Sequence, residues 1–239
     1  MSITIIIFIL LGALIILFAT RALGRIAKII TKIFLLLILT LVILSLLVYN
    51  DMQNLRKGFK HSNNTILLYQ DQTLHSAITL KPRNTTQVSS QDFVFYTQEE
   101  ITGMQEKLNN QEYQALLNKN YKLIIMKPGL LDKPYNISLG AELDQKDLLE
   151  IITSQQAFTA LANKTSQAYN TSIQELEHGI EQQYGSETRL KGYLFAALLT
   201  NYLQQQKPGE LVKNIKNKDT QILPDTISFK IIRYLPWIS

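Results

Sequence analysis

Residues 93–126 read FVFYTQEEITGMQEKLNNQEYQALLNKNYKLIIM, and their apolar pattern changes twice. The aromatic and β-branched run at 93–96 is typical of a strand. Thr97 followed three residues later by Glu100 is a capping-box pattern, which marks the start of a helix. We expect this helix to span 98–119. Its predicted buried face carries Ile101, Met104, Leu108 and Ala115.

A second strand is predicted at 121–126 (YKLIIM), and Pro128 and Gly129 end it. Two strands joined by one helix form a crossover unit, which is right-handed when the strands are parallel. Residues 93–126 therefore predict parallel strands within one sheet.

Strands are also predicted on both sides of this unit. Upstream, 65–69 (TILLY) and 75–80 (HSAITL) flank residues 70–72 and predict a β-hairpin. The stretch 81–91 is rich in Asn, Ser and Thr and predicts a loop. Downstream, 226–234 (TISFKIIRY) alternates in polarity and predicts a strand that returns to the sheet.

The remaining sequence contains several predicted helix starts. Asp144 with Asp147 begins one helix, and Ser172 with Glu175 forms a second capping-box pattern. A helix over 186–206 is apolar on most faces, which is typical of a buried helix. These elements predict an α+β fold with a small mixed β-sheet packed with helices.

Two uncharged apolar runs dominate the first 50 residues, and they predict a two-helix transmembrane hairpin. The spans are expected at about 3–20 and 29–49, each long enough to cross the hydrocarbon layer. A cleaved signal peptide is the alternative for the first run. That alternative requires basic residues before the run, and here they follow it.

The connector between the runs holds four basic residues and no acidic one. This charge favours a cytoplasmic connector, with the N-terminus and the C-terminal domain extracytoplasmic. An interfacial helix that binds anionic lipid is the alternative interpretation. The four topology-setting residues are Arg21, Arg25, Lys28 and Lys32.

The charge pattern argues against nucleic acid as a partner. Of the 24 basic residues only 20 lie after residue 50, where 19 acidic residues nearly balance them. A nucleic-acid-binding domain needs a basic face of its own. The chain holds no cysteine, which excludes disulfides, thiolate metal sites and thiol catalysis. We expect the partners to be the lipid bilayer and other membrane or envelope proteins.

Five N-x-S/T sequons follow the second apolar run, which predicts an extracytoplasmic glycoprotein. A eukaryotic luminal domain without cysteine would be unusual, so an archaeal or bacterial surface protein is expected. The candidate glycosylation sites are Asn63, Asn84, Asn136, Asn163 and Asn170.

These patterns divide the chain into three parts. Residues 1–50 form the transmembrane hairpin, and 51–62 form a polar juxtamembrane tether or a continuation of the second helix. The extracytoplasmic α+β domain covers 63–239, which is long enough to bury a core of its own.

No pattern in the sequence predicts catalysis or a cofactor. Glu175, His178 and Glu181 have the spacing of helical metal ligands, but a di-metal site needs a second such motif, which the sequence lacks. A solvated helix face is the preferred interpretation, and we expect no metal. No nucleophile elbow, zincin motif or phosphate loop occurs.

The C-terminal aromatic residues are a candidate docking element. Tyr234, Trp237 and Ile238 either close the core, dock on a partner or rest at the bilayer interface. The leading hypothesis is a membrane-anchored interaction protein, an accessory or assembly subunit of a cell-envelope complex. The alternatives are a membrane-tethered envelope hydrolase with an unrecognised site, and a ligand-binding sensor that acts through a partner.

Overall fold

The fold comes from a computed structural model of the 239-residue chain. It describes residues 25–82, 92–131, 134–139, 142–205, 208–226 and 229–230. The helices are α1 (Arg25–His61), α2 (Gln98–Asn109), α3 (Tyr113–Leu117), α4 (Gln145–Thr153), α5 (Ala157–Tyr169), α6 (Ile173–Tyr184), α7 (Glu187–Gln205) and α8 (Pro208–Lys216). The strands are β1 (Asn64–Gln70), β2 (Thr73–Leu80), β3 (Phe93–Phe95), β4 (Lys122–Met126), β5 (Ile137–Ser138), β6 (Glu142–Leu143) and β7 (Thr220–Leu223), and a 3₁₀ helix spans Pro128–Leu131.

Helix α1 contains a segment that is long and apolar enough to cross a membrane. Lys28–Asp51 covers 24 residues with a mean hydropathy of 2.8, and none of it is buried. The Thr40 and Ser45 hydroxyls donate to carbonyls four residues earlier, each at 2.8 Å, so the two hydroxyls are satisfied within the helix. A signal sequence has the same length and composition. Within the described residues this is one candidate span, and the predicted span at 3–20 lies outside them.

Residues 51–61 continue α1 as helix. Contacts divide the chain into two units, one comprising residues 1–57 with 227–229 and the other comprising 58–226 with 230–239. The second unit is the α+β domain, and it carries every strand described below.

The domain is built on a five-stranded mixed sheet with the order β3-β2-β1-β4-β7. The predicted hairpin is confirmed, because β1 and β2 pair antiparallel. Asp71 and Gln72 form its two-residue turn with φ angles of 50° and 63°. Two positive φ values are the signature of the turn that matches the twist of a hairpin. Of the predicted 81–91 loop, only residues 81–82 are described, and they are irregular.

The crossover predicted at 93–126 is present, but its two strands are not neighbours in the sheet. Strand β4 runs parallel to β1, and β3 pairs antiparallel with β2, so β3 and β4 are parallel. Two strands separate them in the sheet. The crossover therefore bridges the hairpin and places β4 in the interior of the sheet, where all its residues are buried.

The helix predicted at 98–119 is wrong in its extent. The capping box at Thr97 and Glu100 is present, but α2 ends at Asn109 and α3 follows as a separate short helix. Gln111 between them has a φ of 58°, which an α-helix cannot accommodate. The two asparagines in this stretch, Asn109 and Asn110, are weaker helix formers than the residues around them. Ala115 is exposed as a consequence, and Leu116 is buried instead.

The downstream helices agree with prediction at their starts. Capping boxes open α4 and α6, and Gly185 ends α6 in the left-handed conformation with a φ of 76°. Helix α7 is the predicted buried helix. Strand β7 was not predicted, and it closes the sheet against β4.

The C-terminal strand predicted at 226–234 is wrong where it can be checked. Phe229 and Lys230 are helical, and the Lys230 amide donates to the Thr226 carbonyl at 3.0 Å. The other residues of that prediction beyond 226 lie outside the described part of the chain. Since β7 already occupies the sheet edge beside β4, a further strand is not needed there.

The core lies on both faces of the sheet. One face packs against α2 and α3, and its buried residues include Leu67, Ala77, Leu123 and Ile125. Alternate positions such as Ile66 and Ile78 point to the other face and are also buried. Helices α4 and α7 contact β2 as well. The short edge strand β3 contacts β2 and α7.

Candidate interaction groove

A groove of about 640 Å³ runs along β3 at the edge of the sheet. One wall is β3 and the start of α2, and the other is the turn between α6 and α7. Four of the lining residues are aromatic, a residue class that is enriched in protein-binding sites, and two of them, Phe93 and Tyr184, are buried. The lining residues are Lys81, Phe93, Val94, Phe95, Tyr96, Thr97, Gln98, Tyr184, Gly185, Ser186 and Arg189.

The hydrogen-bond pattern of β3 shows which of its backbone groups are open. The Lys81 amide donates to the Asp92 carbonyl at 2.8 Å, so Asp92 faces β2. In an antiparallel ladder every second residue bonds the same neighbour. Val94, opposite Thr79, therefore faces β2 as well. The N–H and C=O groups of Phe93 and Phe95 point away from β2; Phe93 is 5% exposed and Phe95 is half-buried.

The edge at β3 is short and carries an exposed apolar side chain. Charges, prolines and short strands are the devices that keep sheet edges from pairing with other chains. At the opposite edge, strand β7 lies between Asp219, which pairs with Lys127 at 2.9 Å, and Pro224. Strand β3 is directly preceded by Asp92, and its Val94 is 41% exposed. Its short length and the preceding Asp92 are its protection.

Packing against α7 fixes the aromatic wall. A Cβ atom added to Gly192 would lie 2.8 Å from Cδ1 of Phe95, so the Phe95 ring rests directly on the helix backbone. Across the groove, the rings of Tyr184 and Tyr193 lie 5.7 Å apart at 56°. This is a favourable tilted geometry.

Hydrogen bonds connect the elements that form the groove. The Thr188 hydroxyl donates to Oε1 of Gln98 at 2.5 Å, which joins the start of α7 to the start of α2. The hydroxyl of Tyr96 lies 2.6 Å from that of Thr79, inside the sheet. The groove is thus formed by ordered elements, which lowers the entropy cost of binding.

One exposed cation of the lining is Arg189. Within the described part of the chain its guanidinium makes no ion pair. Lys81 also belongs to the lining, and Asp92 and Glu187 are next to lining residues in the sequence. Burial, and to a smaller extent Tyr193, raise the pKa of the Tyr184 hydroxyl, so it stays neutral. An anionic group is therefore the complementary ligand.

A second cluster of titratable groups lies between β2 and α7. Burial first, and then the charge of Lys191, lower the pKa of His75, whereas Asp71 opposes the shift. Burial also lowers the pKa of Lys191. The Lys191 ammonium donates to the carbonyl of Ser154, the C-cap of α4. A lysine at a helix C-terminus is a structural arrangement, so we interpret this cluster as part of the packing.

The predicted metal-ligand pattern lies on an exposed helix face. Glu175 is engaged in the capping box with Ser172, and the His178 ring nitrogen contacts Gln182 at 3.0 Å. Glu181 is exposed one turn further on. Across the described residues no three His, Asp or Glu side chains come together in a metal-binding arrangement.

The other predicted site residues are distributed over the surface or lie outside the description. Arg25, Lys28 and Lys32 lie in α1, and Arg21 lies outside the described residues together with Tyr234, Trp237 and Ile238. Asn84 also lies outside them. The other four sequon asparagines are exposed, and their glycosylation stays a prediction: Asn63, Asn136, Asn163 and Asn170.

The groove was not predicted from the sequence. Core packing was expected for Phe93 and Phe95, since aromatic residues in strands are usually buried. Phe93 is buried as expected, Phe95 is half-buried, and Tyr184, which is also buried, was not singled out. The available signal was the brevity of the FVFY run, which is typical of an edge strand. The position of this run beside the turn at Gly185 depends on tertiary contacts, which the sequence pattern does not reveal.

No protein-family model matches the chain, and no curated protein or solved structure is significantly similar to it. The geometry of the groove is therefore the basis on which its function is inferred.

Proposed function

We propose that this chain is a membrane-anchored interaction protein whose extracytoplasmic domain captures an extended segment of a partner at β3. The observation that carries the proposal is the open edge of β3, with the outward backbone groups of Phe93 and Phe95 bordering an aromatic groove. Strand addition to a sheet edge is a recurrent mode of peptide recognition. Such a protein would be an accessory or assembly subunit of an envelope complex.

The anchor in this proposal is the two-helix hairpin. The apolar segment of α1 supplies the second span, and residues 3–20 supply the first. The basic residues between them keep the connector in the cytoplasm and the domain outside. Four exposed sequon asparagines in the domain support this orientation, because N-glycans are attached on the extracytoplasmic side.

The chemistry of the groove supports binding over the two alternative functions. A hydrolase site gathers acids, bases and a nucleophile around one point. Here the described lining residues are aromatic or neutral apart from two cations. A sensor would hold a small ligand in an enclosed apolar cavity, whereas this groove follows a strand edge.

Site-specific photocrosslinking in native membranes tests the proposal. The photoreactive residue p-benzoylphenylalanine replaces Val94, whose side chain is exposed at the edge. The control carries the same residue at Lys119, which is exposed in the turn before β4. We expect one partner adduct from position 94 and none from position 119. The same adducts from both positions, or none from position 94, would contradict the proposal.

A further inference from the structure

We infer that the segment bound at β3 is acidic, with a carboxylate that pairs with Arg189. This inference rests on the proposed function, and it adds the chemistry of the partner to the mode of binding. Three observations support it: the orientation of the β3 side chains, the charge of the groove, and the composition of the chain's own segments.

The side chains of β3 predict the pattern of the added strand. Phe95 pairs with Ile78 and its ring lies on Gly192 of α7, so Phe93 and Phe95 face the α7 layer. Alternate residues of an added strand would face the same layer. Aromatic and β-branched residues pair best across strands with Phe. One position of that face would lie towards Arg189.

The charge of the groove selects an acidic segment. Arg189 is exposed and without an ion pair among the described residues. A guanidinium binds a carboxylate through two parallel hydrogen bonds, which fixes the register of the bound strand as well as adding affinity. A basic segment would place like charges together in the groove, which is unfavourable.

The same charge disfavours occupants from this chain. A second copy pairing through its own β3 would bring a second Arg189 to the groove. The segments 83–91 and 231–239 contain Arg83 and Arg233 and no acidic side chain. The complementary occupant is therefore an extended acidic segment of a different protein.

Peptide selection on the full chain tests this inference. Short random peptides displayed on phage are selected on the full chain in lipid nanodiscs, and one selected peptide is synthesised with its Glu→Gln counterpart. We expect alternating apolar residues and at least one Asp or Glu. Arg189→Glu should weaken binding by about tenfold or more, as expected for loss of a hydrogen bond to a charged group. Added salt should weaken the wild-type complex.

Two controls separate the inference from the proposed function. Lys119→Glu makes the same charge change at an exposed position outside the groove, and it should leave the affinity unchanged. A peptide methylated on alternate backbone nitrogens cannot add a strand, and it should not bind. Binding that is lost on methylation but insensitive to Arg189→Glu would overturn the acidic partner and leave strand addition intact. Binding that survives methylation would overturn both.

Discussion

At the scale of single residues, the groove depends on a contact between a helix glycine and an aromatic ring. Gly192 is buried in α7, and the Phe95 ring occupies the space that any Cβ would need. Gly179 in α6 differs, since nothing lies within 4 Å of its Cβ position. The two helical glycines therefore form a matched pair.

Gly192→Ala should destabilise the domain relative to Gly179→Ala. Alanine in a helix gains about 1 kcal/mol over glycine, and this gain is unopposed at Gly179. At Gly192 the displaced Phe95 ring costs about 1–3 kcal/mol. We expect Gly192→Ala to be the less stable variant by about 1 kcal/mol or more in urea denaturation. Equal stabilisation by both substitutions would show that the Phe95 contact is loose.

The lowered pKa of His75 makes the stability of the folded domain depend on pH, and the direction of this dependence follows from the shift. Its folded pKa is lowered by burial and by Lys191, so below the usual value of about 6.5 the unfolded chain binds a proton more readily. Stability is therefore lost as the pH falls from that value through the folded pKa. His75→Gln should reduce this loss between about pH 7.5 and pH 5.5.

Denaturant titrations at the two pH values measure the effect of His75. The same substitution at His178, exposed on α6, is the control. An unchanged pH slope in His75→Gln would assign the acid sensitivity to another group.

At the scale of elements, caps set the helix boundaries that frame the groove. The Glu100 amide donates to the Thr97 hydroxyl at 3.3 Å, and the Thr97 amide donates to the Glu100 carboxylate at 2.8 Å. This capping box fixes the start of α2 directly after β3. It is one of three capping boxes among the described residues of the domain.

Thr97→Ala should cost about 1 kcal/mol of unfolding free energy, the usual cost of losing a helix N-cap. Thr102→Ala in the same helix is the matched control. The Thr102 hydroxyl only bonds back to the carbonyl of Gln98, so its loss should be neutral or slightly stabilising. Thermal or urea unfolding of the two variants compares them. A Thr97→Ala variant as stable as the control would mean that tertiary packing alone fixes this helix start.

Local sequence signals predicted the elements better than their pairing. Capping boxes and the two-residue turn are encoded within a few residues, so Thr97, Asp144 and Ser172 were recognisable without the structure. The wide crossover, strand β7 and the break at Gln111 depend on distant contacts. The groove joins residues about 90 positions apart, as in the 2.5 Å contact between Gln98 and Thr188.

At the scale of the whole molecule, the account predicts a defined topology. The chain has no cysteine, so single cysteines can be introduced without a background. Cysteines replacing Ser2 and Ser90 should react with an impermeant thiol reagent on intact cells, and a cysteine replacing Ala22 should be protected. Reaction at Ala22 with protection at Ser90 would invert the topology and place the groove in the cytoplasm.

Amide hydrogen exchange along β3 in the full chain tests the central claim most directly. Rates are measured at single-residue resolution with and without the selected acidic peptide. In the free protein the account predicts slow exchange at Val94, which bonds β2, and faster exchange at Phe95, which is half-buried and whose amide points away from β2. Saturating peptide should slow exchange at Phe95. A rate at the Phe95 amide that is already as slow as that of Val94 in the free protein, or unchanged in the complex, would contradict strand addition at β3.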